Sequence, residues 1–411
     1  MEASDTIESV VRTSYGRLLA FLATRTGDLA AAEDALGEAL HAALRTWPTR
    51  GIPDSPDGWL LAVARNHFLS QRRRTSARET LMASMDDAAD LTATGTPEAF
   101  PDERLKLLFI CAHPAIDPAI RTPLMLQTVL GLDAARIASA FLVKPSAMGQ
   151  RLVRAKNKIV AAGIPFEVPG PNELADRVDS VLDAIYCAYG AGWEHVEGAD
   201  HHEDLAGEAI FLSRVVCELL ADTAEAAGLL ALLLHCEARR DARRSDTGAF
   251  VPLGDQDVTR WSGATLAEAD SWLTRAATTS APGRFQLEAA IQSAHASRRR
   301  TGNTPWGAIV LLYQGLTRAA PTVGAFVSQA AAEAEFRGPE AGLALLASLP
   351  DDRVSGYQPY WALRGHLLSS SEPATAALAF DRAIGWASDP AIRVFLAERR
   401  QRALSRIDAA R

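Results

Sequence analysis

Hydrophobic residues recur at three- and four-residue steps along most of this chain, which is the spacing of an α-helix with one apolar face. The first such stretch ends at Gly27, a plausible helix stop, and Asp28 follows as a cap for the next helix. The pattern therefore predicts an all-α fold. The helices predicted in the N-terminal part cover residues 7–27, 29–47, 55–74, 102–112 and 117–130.

The stretch 133–160 predicts two short helices joined by a turn near residues 143–145, with Ser146 as the N-cap of the second helix. A short helix followed across a turn by a helix with one core face and one cationic face is typical of a helix-turn-helix in the major groove of DNA. An ordinary surface helix with solvated charges fits the same pattern. The apolar face holds Met148, Leu152, Ala155 and Ile159, and the cationic side holds Gln150, Arg151, Arg154 and Lys158, with Lys144 just before the helix.

The predicted helix 55–74 is apolar in its first half and basic in its second half. Arginine and asparagine side chains can contact base edges and phosphates, so this helix is a candidate nucleic-acid surface. The arginine run at its end also fits a simpler interpretation, in which cations stabilise a helix C-terminus. The residues concerned are Arg65, Asn66, Gln71, Arg72, Arg73 and Arg74.

Composition and charge narrow the classes of protein. The chain has 411 residues, and its 48% hydrophobic and 22% charged residues are typical of a globular protein. Its net charge of −8 is unevenly distributed, because residues 101–165 carry a net +5 while residues 75–100 and 166–411 carry −4 and −9. Phosphate attraction acts over about one Debye length, so the local basic block outweighs the acidic total.

Several chemistries find no support in the sequence. The four cysteines lack CxxC spacing, and the histidines near residues 201–202 lack the ligand spacing of a metal site, so we expect no bound metal and no cofactor. The chain has no phosphate-binding loop, nucleophile elbow or carboxylate pair that would indicate an enzyme. Neither a secretory signal nor a membrane span is predicted, and a cytoplasmic location is expected.

An irregular stretch at 244–264, which contains Trp261, interrupts the predicted helices of the C-terminal part. These helices cover residues 172–189, 204–221, 222–243, 265–278, 284–297, 304–319, 323–336, 339–349, 356–369, 373–387 and 389–407. Pro339 and Pro373 are 34 residues apart, as are Leu346 and Phe380, and 34 is the period of a tetratricopeptide repeat. Stacked helix pairs form grooves that bind a peptide or protein surface. The array could therefore bind a regulatory partner, or it could fold back on the basic block.

Four segments together resemble one known family: AEDALGEALHAALRTWP (32–48), SPDGWLLAVARN (55–66), DERLKLLFICAHPAI (102–116) and AFLVKPSAMGQRLVRAKNKI (140–159). They are similar to extracytoplasmic-function sigma factors of the branch with a long C-terminal tetratricopeptide-like extension. The resemblance implies a subunit that binds core RNA polymerase and promoter DNA, directs promoter recognition and melting, and is not an enzyme. It also implies sigma domain two at 1–75, a flexible acidic linker at 76–100, sigma domain four at 101–165, and an extension at 166–411 with repeats near 304–407.

The resemblance assigns roles to individual residues. Glu33, Asp34 and Glu38 would contact core polymerase; Arg65 and Asn66, with Gln71 and Arg72–Arg74, would bind the downstream promoter element; and Lys144, Ser146, Gln150, Arg151, Arg154 and Lys158 would bind the upstream element. The family usually has an acidic residue where Ser70 stands and an apolar one where Arg72 stands, so the end of this helix is more basic than is usual in the family. The alternatives are a helical-repeat adaptor, a helix-turn-helix regulator of another kind, and an enzyme or ligand sensor that uses residues 244–264.

Overall fold

The computed structural model describes residues 3–79, 102–141, 143–166, 169–194, 203–277 and 282–409. Regular structure within these ranges is helical, and the only β pairing there is an isolated antiparallel bridge between Arg244 and Phe250. The predicted all-α fold is confirmed. Most of the predicted linker 76–100 lies outside the described residues.

The chain forms two compact units, Met1–Leu219 and Leu220–Arg411. In the first unit, α1 and α2 pack against each other, α3 packs against α2, and α1 also contacts α4. Helix α8 lies against α4 and α5, and α9 packs beside α8. The helices of this unit are α1 (Ala3–Thr26), α2 (Leu29–Arg50), α3 (Pro56–Glu79), α4 (Glu103–Cys111), α5 (Pro118–Thr128), α6 (Ala134–Ala140), α7 (Pro145–Ala161), α8 (Pro171–Glu194) and α9 (Glu203–Leu219).

The second unit begins with the apolar helix α10, which packs against both α11 and α12. Further along, helices that follow each other in the chain pack together, such as α15 with α16 and α18 with α19. Its helices are α10 (Ala224–Glu237), α11 (Gly263–Ala276), α12 (Arg284–Ala296), α13 (Arg298–Thr301), α14 (Trp306–Ala319), α15 (Val323–Arg337), α16 (Pro339–Ala347), α17 (Asp351–Val354), α18 (Gln358–Leu368), α19 (Pro373–Trp386) and α20 (Pro390–Ala409). Leu346 and Phe380, the residues at the 34-residue spacing, are both buried in one core.

The irregular stretch before α11 contains short 3-10 turns at Leu253–Asp255 and Val258–Arg260. Trp261 is 3% exposed and packs with Leu266 and Ala238 in a small hydrophobic core. The Arg298 guanidinium lies 5.2 Å from the Trp261 ring centroid and donates hydrogen bonds to backbone carbonyls of this stretch. These contacts give the stretch a structural role.

Several predicted helix ends differ from the observed ones. Helix α2 continues through Pro48 to Arg50, and it ends where Gly51 adopts a φ of 84°, a left-handed conformation that glycine tolerates. Helix α3 extends to Glu79 rather than Arg74. The four-residue helices α13 and α17 were not predicted, because one turn of helix carries no periodic signal.

A histidine in α10 makes the stability of the second unit depend on pH. His235 is 1% exposed, and neither ring nitrogen has a hydrogen-bond partner, although Nε2 lies 3.4 Å from Asp270 Oδ1. Burial lowers the pKa of His235 from 6.5 to about 4, with Asp270 opposing the shift. The unfolded chain therefore takes up a proton below pH 6.5, while folded His235 stays neutral down to about pH 4.

We expect acidification from pH 7.5 to pH 5 to remove roughly 2 kcal/mol of stability through this one group, since each pKa unit is worth about 1.4 kcal/mol. Urea unfolding at the two pH values, compared between the native chain and His235→Gln, measures the effect. The variant should lose less stability on acidification than the native chain does. An equal loss in both would assign the pH dependence to other groups.

Within the described ranges, no helix is long and apolar enough to span a membrane.

Candidate nucleic-acid interface

Helix α7 separates its buried side chains sharply from its cationic ones. Its four buried residues are the predicted ones, Met148, Leu152, Ala155 and Ile159, and each is at most 6% exposed. The six residues predicted to bind the upstream element are all exposed: Lys144, Ser146, Gln150, Arg151, Arg154 and Lys158. These six side chains give the exposed side of the helix a cationic character, although Val153 and Val160 are also 57% and 51% exposed there.

The preceding helix, α6, supports α7 from one side, and α5 contacts both. The Asp133 carboxylate caps α6, because its Oδ1 accepts hydrogen bonds from the backbone N–H groups of Ala135 and Arg136, both at 2.9 Å. On α7, Arg154 Nε donates to the Gln150 carbonyl oxygen at 3.3 Å. This bond holds the Arg154 side chain along the exposed surface.

The expected N-cap of α7 is wrong by two residues. The helix begins at Pro145, so Lys144 occupies the N-cap position and makes no side-chain capping bond. Proline suits the first helical position because the N–H that it lacks would have no partner inside the helix. Ser146 therefore lies within the first turn, with an exposed side chain.

Ser55 caps the start of helix α3. Ser55 Oγ accepts a hydrogen bond from the Gly58 N–H at 3.3 Å. Arg65, Asn66 and Gln71 lie on the exposed surface further along the helix. The predicted sites Arg72, Arg73 and Arg74 belong to the α3 backbone, but their side chains lie outside the described part of the chain.

Asp57 in the first turn of α3 connects this helix to α1. Its Oδ2 accepts a hydrogen bond from Ser14 Oγ at 3.1 Å and forms an ion pair with Arg17. Trp47 and Trp59 meet edge to face, with ring centroids 5.5 Å apart, and connect α2 to α3. The exposed polar residues of α3 therefore stand on a helix that is fixed at its N-terminal end.

The three acidic residues predicted to contact polymerase have different surroundings. Asp34 and Glu38 are exposed on α2. Glu33 instead accepts hydrogen bonds from Lys156 Nζ of α7, at 2.7 Å to Oε1 and 2.6 Å to Oε2. The Lys156 and Glu33 side chains are only 12% and 20% exposed.

A buried layer lies beside this ion pair. Burial, and secondarily the Glu33 charge, raises the pKa of Tyr15 to about 12. Burial likewise raises the pKa of Cys111 to about 12, although a contact with Thr128 at 3.6 Å opposes the shift. Neither group titrates near neutral pH, so both serve here as packing residues.

Helix α1 approaches the end of α5 closely at Gly16. A methyl group at Gly16 would overlap the carbonyl oxygen of Val129, which is itself 3% exposed. The backbones can meet only because residue 16 has no side chain. Helices α1–α3 and α4–α7 thus share a tightly packed boundary inside the first unit.

Helix α8 completes the packing around α4. Arg177, which is 5% exposed, donates a hydrogen bond to the Phe109 carbonyl oxygen at 3.2 Å and pairs with Glu173 at 2.9 Å. Arg104 of α4 forms ion pairs with Asp102, which directly precedes α4, and with Glu208 of α9. The residues that follow the cationic helix in sequence are therefore part of the same compact unit.

Sequence reasoning missed Lys156, which belonged to neither the apolar nor the cationic set. Its partner Glu33 is 123 residues away in the chain, so no local pattern could show their contact. Among the described residues, no group of three or more His, Cys, Asp or Glu side chains is arranged to hold a metal ion. His201 and His202 lie outside the described residues.

Two segments of the chain match known protein families. Residues 10–78 match the family model described as Sigma-70 region 2, and residues 177–277 match a family of unknown function (DUF6596). No solved structure matches the chain. The match of residues 10–78 to Sigma-70 region 2 suggests an RNA polymerase sigma factor and points to a transcription factor.

One relative matches most of the chain. An uncharacterized protein of Rhizobium meliloti (strain 1021) is 39% identical over 384 residues, which cover 92% of this chain and 90% of the relative. The chain belongs to the same family as this protein.

Proposed function

We propose that this protein is a sigma factor of the extracytoplasmic-function type, which binds core RNA polymerase through α2 and promoter DNA through α3 and α7. The proposal rests chiefly on the match of residues 10–78 to Sigma-70 region 2. It is supported by the exposure of all six residues of α7 that are expected to bind the upstream element.

In this proposal α6 and α7 act as a helix-turn-helix, with α7 in the major groove. Arginine and glutamine side chains make paired hydrogen bonds to guanine and adenine edges, and lysine neutralises phosphates. Gln150, Arg151 and Arg154 would contact bases, while Lys144 and Lys158 at the two ends would contact the backbone. The net charge of +5 on residues 101–165 favours the approach to DNA.

Helix α3 would bind the downstream element and help to open it. A base that leaves the duplex needs hydrogen-bonding groups for its edge and an apolar or aromatic surface for its face. The exposed Arg65 and Asn66 supply the first requirement, and the half-buried Trp59 lies nearer the start of the same helix. Two weak DNA contacts within one chain strengthen each other through effective concentration.

The second unit would bind a regulatory protein or peptide and modulate transcription. Its support is the tetratricopeptide-like spacing, in which Ala376, Phe380 and Ala383 are all at most 2% exposed. Leu378, Trp386 and Val394 in contrast are 67%, 59% and 57% exposed on α19 and α20. The alternative role of this unit is that of a protein-interaction adaptor.

Replacing Arg154 tests the DNA face of α7. We expect Arg154→Ala to weaken binding of the upstream element by about 1–3 kcal/mol if it contacts a base, with relaxed specificity at that position. DNase footprinting of the polymerase complex measures the loss. Arg318→Ala, which removes an exposed arginine from α14 of the second unit, is the matched control and should leave the footprint intact. An unchanged footprint in Arg154→Ala would contradict the assigned face.

A further inference from the structure

The ion pair between Lys156 of α7 and Glu33 of α2 connects two surfaces that have separate proposed roles. Lys156 Nζ lies 2.7 and 2.6 Å from the two oxygens of the Glu33 carboxylate, so both oxygens are occupied. With exposures of 12% and 20%, the pair is largely shielded from water. Exposed ion pairs contribute little, but a shielded pair is costly to break on one side because it leaves an uncompensated charge.

The surroundings of the pair are built for close contact. The Val129 carbonyl oxygen packs directly against Gly16 of α1. The neighbouring Tyr15 is half-buried near the turn at Gly131. Cys111 and Thr128 fill the layer between α4 and α5 without exposure. The pair therefore lies at the edge of a packed boundary, rather than on two loosely facing helices.

The pair also divides the acidic set on α2. Asp34 and Glu38 remain exposed, whereas Glu33 is occupied by Lys156. A protein surface that bound α2 through all three carboxylates would have to displace Lys156 from Glu33. Lys156 lies on α7, the helix that also carries Arg154 and Lys158. Displacing Lys156 from Glu33 would therefore also release this contact between α7 and α2.

We propose that the Glu33–Lys156 pair holds the free protein in a closed state in which Lys156 of α7 occupies one of the three carboxylates on the polymerase-docking surface of α2. This inference rests on the proposed docking of α2 on core polymerase. Docking and closure then compete for the same carboxylate, so polymerase binding opens the boundary between α2 and α7. The apparent affinity for polymerase is reduced by the fraction of chains that are closed.

A zero-length carbodiimide cross-linker tests the contact itself, because it joins an amine to a carboxylate only where the two already touch. In the free full-length chain we expect a cross-linked peptide between Lys156 and Glu33, and none between Lys158 and Glu33. Addition of core polymerase should reduce the yield of the first cross-link. Absence of the Lys156–Glu33 cross-link in the free chain, or an undiminished yield with polymerase bound, would overturn the closed state.

Affinity for core polymerase without DNA tests the competition. Lys156→Met keeps the aliphatic stem and removes the charge, so Glu33 becomes available and we expect on the order of tenfold tighter binding. Asn157→Ala, an exposed neighbour on α7, is the control and should bind as the native chain does. Circular dichroism checks that both variants fold.

The outcomes separate this inference from the proposed function. If the native chain binds core polymerase and Lys156→Met binds it with the same or a lower affinity, the closed state is overturned. The polymerase-docking proposal then still stands. If neither the native chain nor any variant binds core polymerase, both the closed state and the polymerase-docking proposal are overturned. Glu33→Ala is not diagnostic, because it would remove the docking carboxylate and the closing contact together.

Discussion

A chain shortened to residues 1–219 should retain the fold of the first unit, whereas a chain shortened to residues 1–170 should lose it. Helix α8 lies on α4 and α5, and Val181, Leu182 and Ile185 are fully buried there. Burial of each such side chain contributes about 1.5–3 kcal/mol. Removing the helix would therefore cost an amount comparable with the whole stability of a domain, about 5–15 kcal/mol.

Arg177 adds to this effect. Its hydrogen bond to the Phe109 carbonyl oxygen would disappear, and a hydrogen bond to a charged group contributes about 1.5–3 kcal/mol. Thermal melts by circular dichroism compare the two shortened chains, with the full-length chain as the control. A cooperative melt of the 1–170 chain, equal to that of the 1–219 chain, would contradict the role of α8.

This expectation affects how the C-terminal region is tested. Deletion of residues 172–411 would remove α8 along with the second unit, so lost transcription would report a damaged first unit. Deletion of residues 220–411 removes the second unit alone. Only the latter deletion distinguishes regulation by the second unit from simple unfolding.

Gly16→Ala should destabilise the boundary between α1 and α5, while Gly37→Ala should stabilise its helix. The methyl group at residue 16 would collide with the Val129 carbonyl oxygen, and backbone cannot move aside as a flexible side chain does. Overpacking of this kind costs about 1–3 kcal/mol. At exposed Gly37 a methyl group meets open space, and alanine in a helix is favoured over glycine by about 0.5–1 kcal/mol.

The two glycines are matched controls for each other, since both lie inside helices of the same unit and undergo the same change. Amide hydrogen exchange in the full-length chain measures local opening. We expect faster exchange in α1 and α5 for Gly16→Ala, and unchanged or slower exchange in α2 for Gly37→Ala. Slower or unchanged exchange in α1 for Gly16→Ala would contradict the close approach of the two backbones.

Local patterns predicted what depends on local physics. The buried face of α7 follows from the spacing of Met148, Leu152, Ala155 and Ile159, and the N-cap at Asp28 follows from its residue type and position, since it accepts a hydrogen bond from the Ala31 N–H. The small error at Ser146 arose because proline and serine are adjacent, and both favour helix starts.

Long-range contacts could not be predicted in this way. Glu33 and Lys156 are separated by 123 residues. Nothing in the sequence around either residue distinguishes a member of a shielded ion pair from an exposed charge. The packing of α8 on α4 depends on a buried arginine, a residue type that patterns normally assign to the surface. The DNA-binding and polymerase-binding roles of individual residues, and the boundaries of the four predicted domains, remain predictions.

Run-off transcription with purified core RNA polymerase and genomic templates tests the central claim most directly. The account predicts discrete transcripts that appear only when this protein is added to core polymerase, and that decrease in Arg154→Ala but not in Arg318→Ala. Transcription that does not depend on the added protein, or no promoter-dependent product from templates that cover the whole genome, would contradict the assignment as a sigma factor.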